Sequence, residues 1–454
     1  MIDSKYELRD IQSFYKGKKV FVTGHTGFKG TWLTTVLLRA GAVVTGYSLE
    51  PPTEPSLFRM AGLDDPFAEG DSDQEFFSGF THIIGDVRDR EKLTSSIIKA
   101  EPDVVFHLAA QPIVRESYKD PVGTYETNVM GTVNLLEAVR IYSESFDKDG
   151  STDKSKRISV LNITTDKVYK NNEWCWGYRE DEPLDGYDPY SNSKSCSELV
   201  THSYKRAFFD VAEFDTIGEG LGVEEKADGA MGQDGQNPAK VGSDNPVSRV
   251  FGRSVEPVVR VSTARAGNVI GGGDFASDRI IPDCVRAIAD ARKHNHGEGE
   301  IIIRNKASIR PYQHVLDPIF AYLMIAAGQY ENASFAGYYN VGPDESSCIT
   351  TGELVKIFSG CWNQSRNTDF VSYALPELRV VERIEHDTPH ESRFLKLDTS
   401  KLKDVFGWRP VWDIEKALRK TADFMRVMMV SRDEGAIRDE MVREIEEFVG
   451  DGIG

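Results

Sequence analysis

Short apolar runs alternate with helix-length segments through the first two hundred residues. KVFVTG (19–24), AVVTGYS (42–48), THIIGD (81–86), DVVFHLAA (103–110) and ISVLNITT (158–165) each predict a buried strand. Between them lie helical patterns such as TWLTTVLLRAG and NVMGTVNLLEAVRIY. Near-continuous apolar strands separated by helices predict an α/β fold, a doubly wound parallel sheet covered on both faces. A sixth strand is expected within PVVRVSTARAGNV (257–269).

The pattern weakens in three polar stretches, 64–79, 143–157 and roughly 210–250, which read as insertions. The third is rich in Gly, Asp and Glu, has little apolar periodicity, and is expected to be a flexible excursion. The C-terminal third turns helical and amphipathic, as in SKLKDVFGWRPVWDIEKALRKTADFMRVMM. The expected division is a sheet domain over 15–270 and a smaller substrate-binding domain over 271–450, with some interleaving of segments.

Composition narrows the class. A 454-residue chain with 40% hydrophobic and 28% charged residues suits a large soluble enzyme. Its net charge of −18 argues against a nucleic-acid surface, although backbone N–H groups still bind phosphate locally. No run approaches the roughly 18 apolar residues of a membrane span, and the N-terminus lacks a secretory apolar region. Five scattered cysteines fit reduced thiols, so a cytoplasmic location is expected. The histidines form no metal-ligand spacing, and no metal is expected.

Candidate chemistry starts at GHTGFKG. Gly24, Gly27 and Gly30 follow a predicted strand and open a predicted helix. That is the order of a Rossmann dinucleotide site: a tight turn, a close approach of backbone to pyrophosphate, and close packing of helix on strand. A phosphate-loop reading fails because Lys29 precedes Gly30, not Ser or Thr. The second strand ends at Ser48, with Glu50 two residues on and no Arg or Lys expected nearby to neutralise a 2′-phosphate, which favours NAD over NADP. Asp86, after the third strand, is placed to accept from an adenine amino group or to cap a turn.

Tyr190 and Lys194 in YSNSK stand four apart and share a helix face. A neighbouring ammonium favours tyrosinate, so the pair suits a general base for a hydroxyl, with Lys194 also able to hold a ribose. Thr165 ends the predicted fifth strand, in TTDKVY. His107 is expected to pack beside the sheet near the cofactor.

With VTGHTGFKG, HLAAQPIV, TNVMGTVNLLEA, TTDKVY, YDPYSNSK and ARAGNVIGGGD on the page, the chain resembles the extended short-chain dehydrogenase/reductases. More narrowly, it is similar to the CDP-glucose 4,6-dehydratase family, from about residue 15 to 430. The resemblance implies bound NAD held by Gly24, Gly27, Phe28, Lys29, Gly30, Ser48, Asp86, Val87, Leu108, Ala109, Ala110, Tyr190 and Lys194. It implies that Tyr190 takes the proton of a sugar 4-hydroxyl and that Thr165 hydrogen-bonds the same oxygen. Asp166 is implied as acid on the departing 6-hydroxyl, with Lys167 assisting at C5. A Lys there, beside the Asp-Glu of thymidine-linked relatives, supports the cytidine-linked branch; Lys167 as a phosphate-binding or structural cation is the other reading. Gln111, Asn268 with the GGGD turn, Arg304, Arg310 and His314 are implied near the nucleotide-diphosphate sugar. A homodimer or homotetramer is implied, through helices near 121–142 and the one bearing Tyr190. The rivals are a dehydratase or 4-epimerase for a dTDP-, UDP- or GDP-linked sugar, and a non-catalytic NAD-sensing protein, which has no need of the Tyr-Lys base.

Overall fold

The computed structural model describes residues 8–65, 77–148, 156–210, 258–303, 306–364, 375–382, 395–431 and 433–452. Nearly all of the expected excursion at 210–250, and parts of those at 64–79 and 143–157, lie outside the described residues. The stretch starting at 143 is no excursion at first: the helix Gly131–Lys148 runs through it, and Tyr142 packs edge-on against Phe146.

The strands are β1 (Lys19–Thr23), β2 (Val43–Ser48), β3 (Phe80–Ile84), β4 (Val104–His107), β5 (Ile158–Thr165) and β6 (Val259–Ala266). They continue with β7 (Asn268–Ile270), β8 (Glu298–Ile303), β9 (Ile309–His314), β10 (Tyr338–Val341), β11 (Cys348–Thr350) and β12 (Glu377–Glu382). Seven form one sheet in the order β10-β6-β5-β4-β1-β2-β3, and every pairing in it is parallel. The expected sixth strand is two: β6 stays in the sheet, and the chain bends at Gly267 so that β7 pairs with β9 instead. The seventh strand, β10, comes from the C-terminal part of the chain, so the two regions interleave.

Because successive side chains in a strand point to opposite faces, each strand feeds two cores. Val20, Val22, Val104, Phe106, Leu161 and Ile163 face one layer, with the helices Phe28–Arg39, Leu316–Glu331 and the C-terminal pair Ile414–Val430 and Glu434–Asp451. Phe21, Val105, Ile158 and Val160 face the other, under the helices Arg90–Ala100 and Gly131–Lys148. The helix Leu316–Glu331 is buried almost throughout, and its polar Gln329 bonds back to the sheet at Ser159 Oγ (2.7 Å) and the Val160 carbonyl (3.0 Å). β7, β9 and β11 make a three-stranded sheet, and β8 with β12 a parallel pair. Together with the helix Ile280–Lys293 they border the open ends of the main sheet.

Asp317, at the start of the buried helix, accepts from the Val411 N–H at 2.7 Å, and burial pushes its carboxyl from 3.8 up to about 8. A carboxyl whose pKa is raised by folding holds its proton in the native state while the unfolded chain loses it. Stability therefore falls as pH rises from about 4 to about 8 and then levels off. Asp317→Asn, which mimics the protonated group, is expected to remove that fall, read as a higher Tm for the variant at alkaline pH.

Candidate active site

A cleft of about 1760 Å³ opens over the C-terminal ends of β1, β2, β4, β5 and β6. The strand order reverses between β1 and β4, and such a switch point is where open α/β sheets bind ligands. Its floor is the glycine turn. Gly24 has φ +78°, and a Cβ there would meet the Ala109 nitrogen at 2.7 Å, so this residue lets the loops after β1 and β4 touch. A Cβ on Gly30 would sit 2.1 Å from the Gly24 carbonyl, which fixes the helix Phe28–Arg39 tightly on the turn. Gly27 caps that helix without any side-chain hydrogen bond, and a Cβ there meets nothing closer than 3.5 Å. An open helix N-terminus with free space before it fits a dinucleotide pyrophosphate.

Phe28, Lys29, Ser48, Asp86, Val87, Leu108, Ala109 and Ala110 all line the cleft, as expected. Ser48 is buried and shares a 2.9 Å hydrogen bond with Thr26. The expectation that no basic residue stands near the end of β2 is corrected. The helix Leu57–Met60 folds back and brings Arg59 to 3.3 Å from Glu50. Glu54 (2.8 Å) and Asp64 (3.9 Å) share the same guanidinium, so its charge is already matched. Exposed pairs of this kind contribute only about 0–1 kcal/mol each to stability. Asp86 is held by Arg88, whose hydrogen bonds keep its carboxyl below the usual range.

The catalytic candidates converge from two elements. Thr165 ends β5, and the 3₁₀ turn Asp166–Val168 follows directly. The helix Pro189–Tyr204 starts where Asp188 caps it, accepting from the Ser191 N–H at 3.0 Å with Pro189 in the first turn, and it brings Tyr190 and Lys194 across. Thr165 Oγ1 donates to Asp166 Oδ1 at 2.9 Å, while Asp166 Oδ2 is buried with no hydrogen-bond partner. Burial raises the Asp166 pKa against the pull of Lys167, Thr165, Arg310 and Lys29, which suits a carboxyl that holds a proton to give away. Lys167 is half-buried and faces the cleft.

One expectation about this pair fails. The phenol of Tyr190 is not lowered; burial pushes it up to about 12, with the Thr165 hydroxyl and the Arg279 charge working the other way. Desolvation penalises an anion directly, and the Lys194 ammonium is turned to the Ile163 carbonyl at 3.1 Å. Burial also lowers Lys194 to about 8, with Glu198 opposing, and Lys29 to about 8, with Arg279 and Lys194 adding to the effect.

The substrate candidates divide. Asn268 and Arg310 line the cleft beside Gly271, Gly273 and Asp274. Gly272 instead packs inward, its carbonyl accepting from the Trp32 indole at 2.9 Å. Gln111 is corrected: its side chain is spent on the Ile113 backbone and Thr124, and Pro112 and Ala110 face the cleft in its place. His314 is corrected as well. It is fully buried between Trp32 and Trp412, with Nε2 2.8 Å from Glu444 Oε1 but without hydrogen-bond alignment. His314 shares the strand face of Arg310 and Tyr312, but it stands at the far end of β9, beyond the cleft, where the C-terminal helix covers it. Arg304 lies outside the described residues. His107 sits beneath the site, bonded to Thr23 at 2.7 Å and Thr132 at 3.2 Å.

Arg279 was not legible beforehand. It lines the cleft, pairs with Asp274 at 3.1 Å and favours ionised Tyr190. Its one signal is its place five residues after the GGGD turn. No cluster of metal-ligating side chains is present among the described residues, and no helix among them is long and apolar enough to cross a membrane.

A parallel seven-stranded sheet, a glycine turn at its switch point and a Thr/Tyr/Lys group beside it define a short-chain dehydrogenase/reductase. The sequence model of the GDP-mannose 4,6-dehydratase family matches residues 21–212. CDP-glucose 4,6-dehydratase of Salmonella typhimurium is 39% identical over 423 residues, 93% of this chain and 94% of that one. The solved dTDP-glucose 4,6-dehydratase of Streptomyces venezuelae, with NAD bound, superposes with a TM-score of 0.59 at 20% identity, covering 90% and 96% of the two chains. UDP-glucose 4-epimerase of Thermotoga maritima gives a TM-score of 0.58 at 19% identity, covering 90% and 99%. The chain belongs to the CDP-glucose 4,6-dehydratase family of the extended short-chain dehydrogenases/reductases.

Proposed function

We propose that this chain dehydrates CDP-D-glucose to CDP-4-dehydro-6-deoxy-D-glucose with a tightly held NAD. The cytidine nucleotide rests on the similarity to the Salmonella enzyme over almost the whole length of both chains. The observation that carries dehydration is Asp166, a buried carboxyl beside Thr165 with an unpartnered oxygen and a raised pKa. An epimerase does not need an acid for a leaving hydroxyl.

NAD, when bound, accepts a hydride from C4 and later returns it to C6, so no external oxidant is consumed. Gly24, Gly27 and Gly30 would hold its pyrophosphate, and Ser48 and Asp86 flank the adenosine end. Tyr190 takes the proton of the 4-hydroxyl, and Thr165 hydrogen-bonds the same oxygen as it becomes a ketone. That ketone acidifies the C5 proton, which Lys167 removes. Asp166 gives its proton to the 6-hydroxyl as water leaves. Arg310 and Asn268 face the sugar diphosphate, where a guanidinium suits a phosphate. With Tyr190 starting near 12, the positive charge of Arg279 favours the tyrosinate that can accept the proton.

A homodimer fits the exposed apolar side chains of Val122, Met130 and Leu199, which lie on the segments expected to pair. The test of substrate is direct. Purified protein is incubated separately with CDP-, dTDP-, UDP- and GDP-glucose and with GDP-mannose, and loss of water is followed by mass spectrometry. CDP-glucose is expected to lose water fastest; dehydration of dTDP-glucose but not CDP-glucose overturns the nucleotide while keeping the chemistry.

A further inference from the structure

Beneath the Tyr190–Lys194 pair lies a buried charge that the mechanism above does not use. Glu198 is one helical turn beyond Lys194 on the same helix and fully buried. Its carboxylate gathers donors from two neighbouring strands. Thr164 Oγ1 at the end of β5 donates at 2.5 Å, and Thr263 Oγ1 and Arg265 Nη2 on β6 donate at 2.8 and 2.9 Å. His202 Nε2, a turn further along the helix, stands 3.4 Å away. Arg265 is itself fully buried, and its other terminal nitrogen donates to the Tyr169 hydroxyl at 2.7 Å and the Glu180 carbonyl at 2.9 Å. Tyr169 in turn donates to Asn340 on β10 at 2.6 Å.

The placement is specific. Thr164 precedes Thr165, and Tyr169 follows the Asp166–Lys167 turn, so the Glu198–Arg265 pair grips the catalytic turn on both sides and the Tyr190 helix from below. A buried pair of this kind gains little net stability over an apolar replacement, which leaves geometry and field as its effects.

We propose that Glu198 is a positioning residue of this active site: its carboxylate, shared with Arg265, sets the Tyr190–Lys194 helix against the strand end carrying Thr165 and Asp166, and supplies the negative charge that Lys194 faces. The proposal rests on the Tyr-Lys reading of the site above. The groups facing this pair are Arg265 and Thr263 from β6, Tyr169 and Glu180 from the turn region, Tyr338 from β10 and His202 from the helix itself; Lys194 also faces His107 and Lys29. Consistent with the geometry, burial opposes the Glu198 anion, yet Arg265, His202 and Thr164 outweigh it and hold the carboxyl at about 2, and its charge favours the Lys194 ammonium.

The test uses the full chain as purified. Lys194 titration is read without substrate by competitive acetic-anhydride labelling across pH, its peptide quantified by mass spectrometry. Glu198→Gln is expected to lower the Lys194 pKa by about one unit and to cut kcat for CDP-glucose by about 10-fold or more with little change in KM. Glu198→Asp, which keeps the charge on a shorter stem, is expected to restore the titration while kcat stays reduced. An unmoved Lys194 titration in Glu198→Gln overturns the role of charge, and wild-type kcat in Glu198→Asp overturns positioning. Should Glu198→Gln fail to fold, Thr263→Val and Glu198→Asp decide: reduced kcat in both supports the proposal, and wild-type kcat in both overturns it. A wild-type protein inactive on CDP-glucose sinks the substrate assignment, while the labelling result still judges Glu198.

Discussion

Asp166→Asn is expected to stop dehydration while leaving the first oxidation intact. In the proposed mechanism the buried carboxyl protonates the leaving 6-hydroxyl, and an amide of the same shape has no acidic proton to give. Loss of a positioned general acid costs about 10²–10⁴ in rate. Adding CDP-glucose should still reduce bound NAD, so the near-ultraviolet absorbance of the reduced cofactor should build up and persist. Lys167→Ala is expected to show the same split, because removal of the C5 proton also follows oxidation. Wild-type water loss in Asp166→Asn would refute its role as acid; loss of the reduction step as well would place it in oxidation instead. In the wild type the raised Asp166 pKa has a further consequence. As pH climbs through it, the carboxyl loses its proton and dehydration should slow relative to oxidation.

Tyr190→Phe is expected to remove both steps together. Without the phenolic oxygen nothing accepts the 4-hydroxyl proton, so turnover should fall by about 10²–10⁴ and no cofactor absorbance should appear on adding substrate. Stopped-flow absorbance separates this from the Asp166 variant in a single experiment. Persistent substrate-induced reduction would show that another group is the base. The wild-type pH profile carries the same logic. Burial lowers Lys194 to about 8, and above that pH it loses the charge with which it would hold the cofactor ribose, so an alkaline fall in kcat is expected there.

The parts of the site that were readable in sequence are those that act through neighbours along the chain. The glycine turn was legible because each glycine answers a local demand: a left-handed φ at Gly24, a close helix contact at Gly30. Tyr190 and Lys194 were legible because a helix brings positions four apart together. Thr165 was legible as the last residue of an eight-residue apolar run. The failures share the opposite property. His314 looked like a site residue beside Arg310, but it stands at the far end of β9, where the C-terminal helix, 130 positions on at Glu444, closes over it. Gln111 is the local exception, its amide taken up by the Ile113 backbone two residues on. Arg59 came to Glu50 only because a short helix folds back. β10 is four residues long, Tyr338–Val341, too short for periodicity to distinguish from a loop, and it finds its place only through pairing with β6.

The sequence by itself determined the first five strands and the helices between them, the turn that fits a pyrophosphate, and which residue types could move a proton. Those follow from backbone preference and spacing, which act over a few residues. Tertiary structure alone decided the electrostatics: that burial pushes Tyr190 up to about 12, that it raises Asp166, and that Glu198 and Arg265 meet beneath them. The reason is physical. Desolvation and charge–charge interaction depend on what surrounds a group in space, and around Asp166 those surroundings come from segments as far apart in sequence as Lys29 and Arg310.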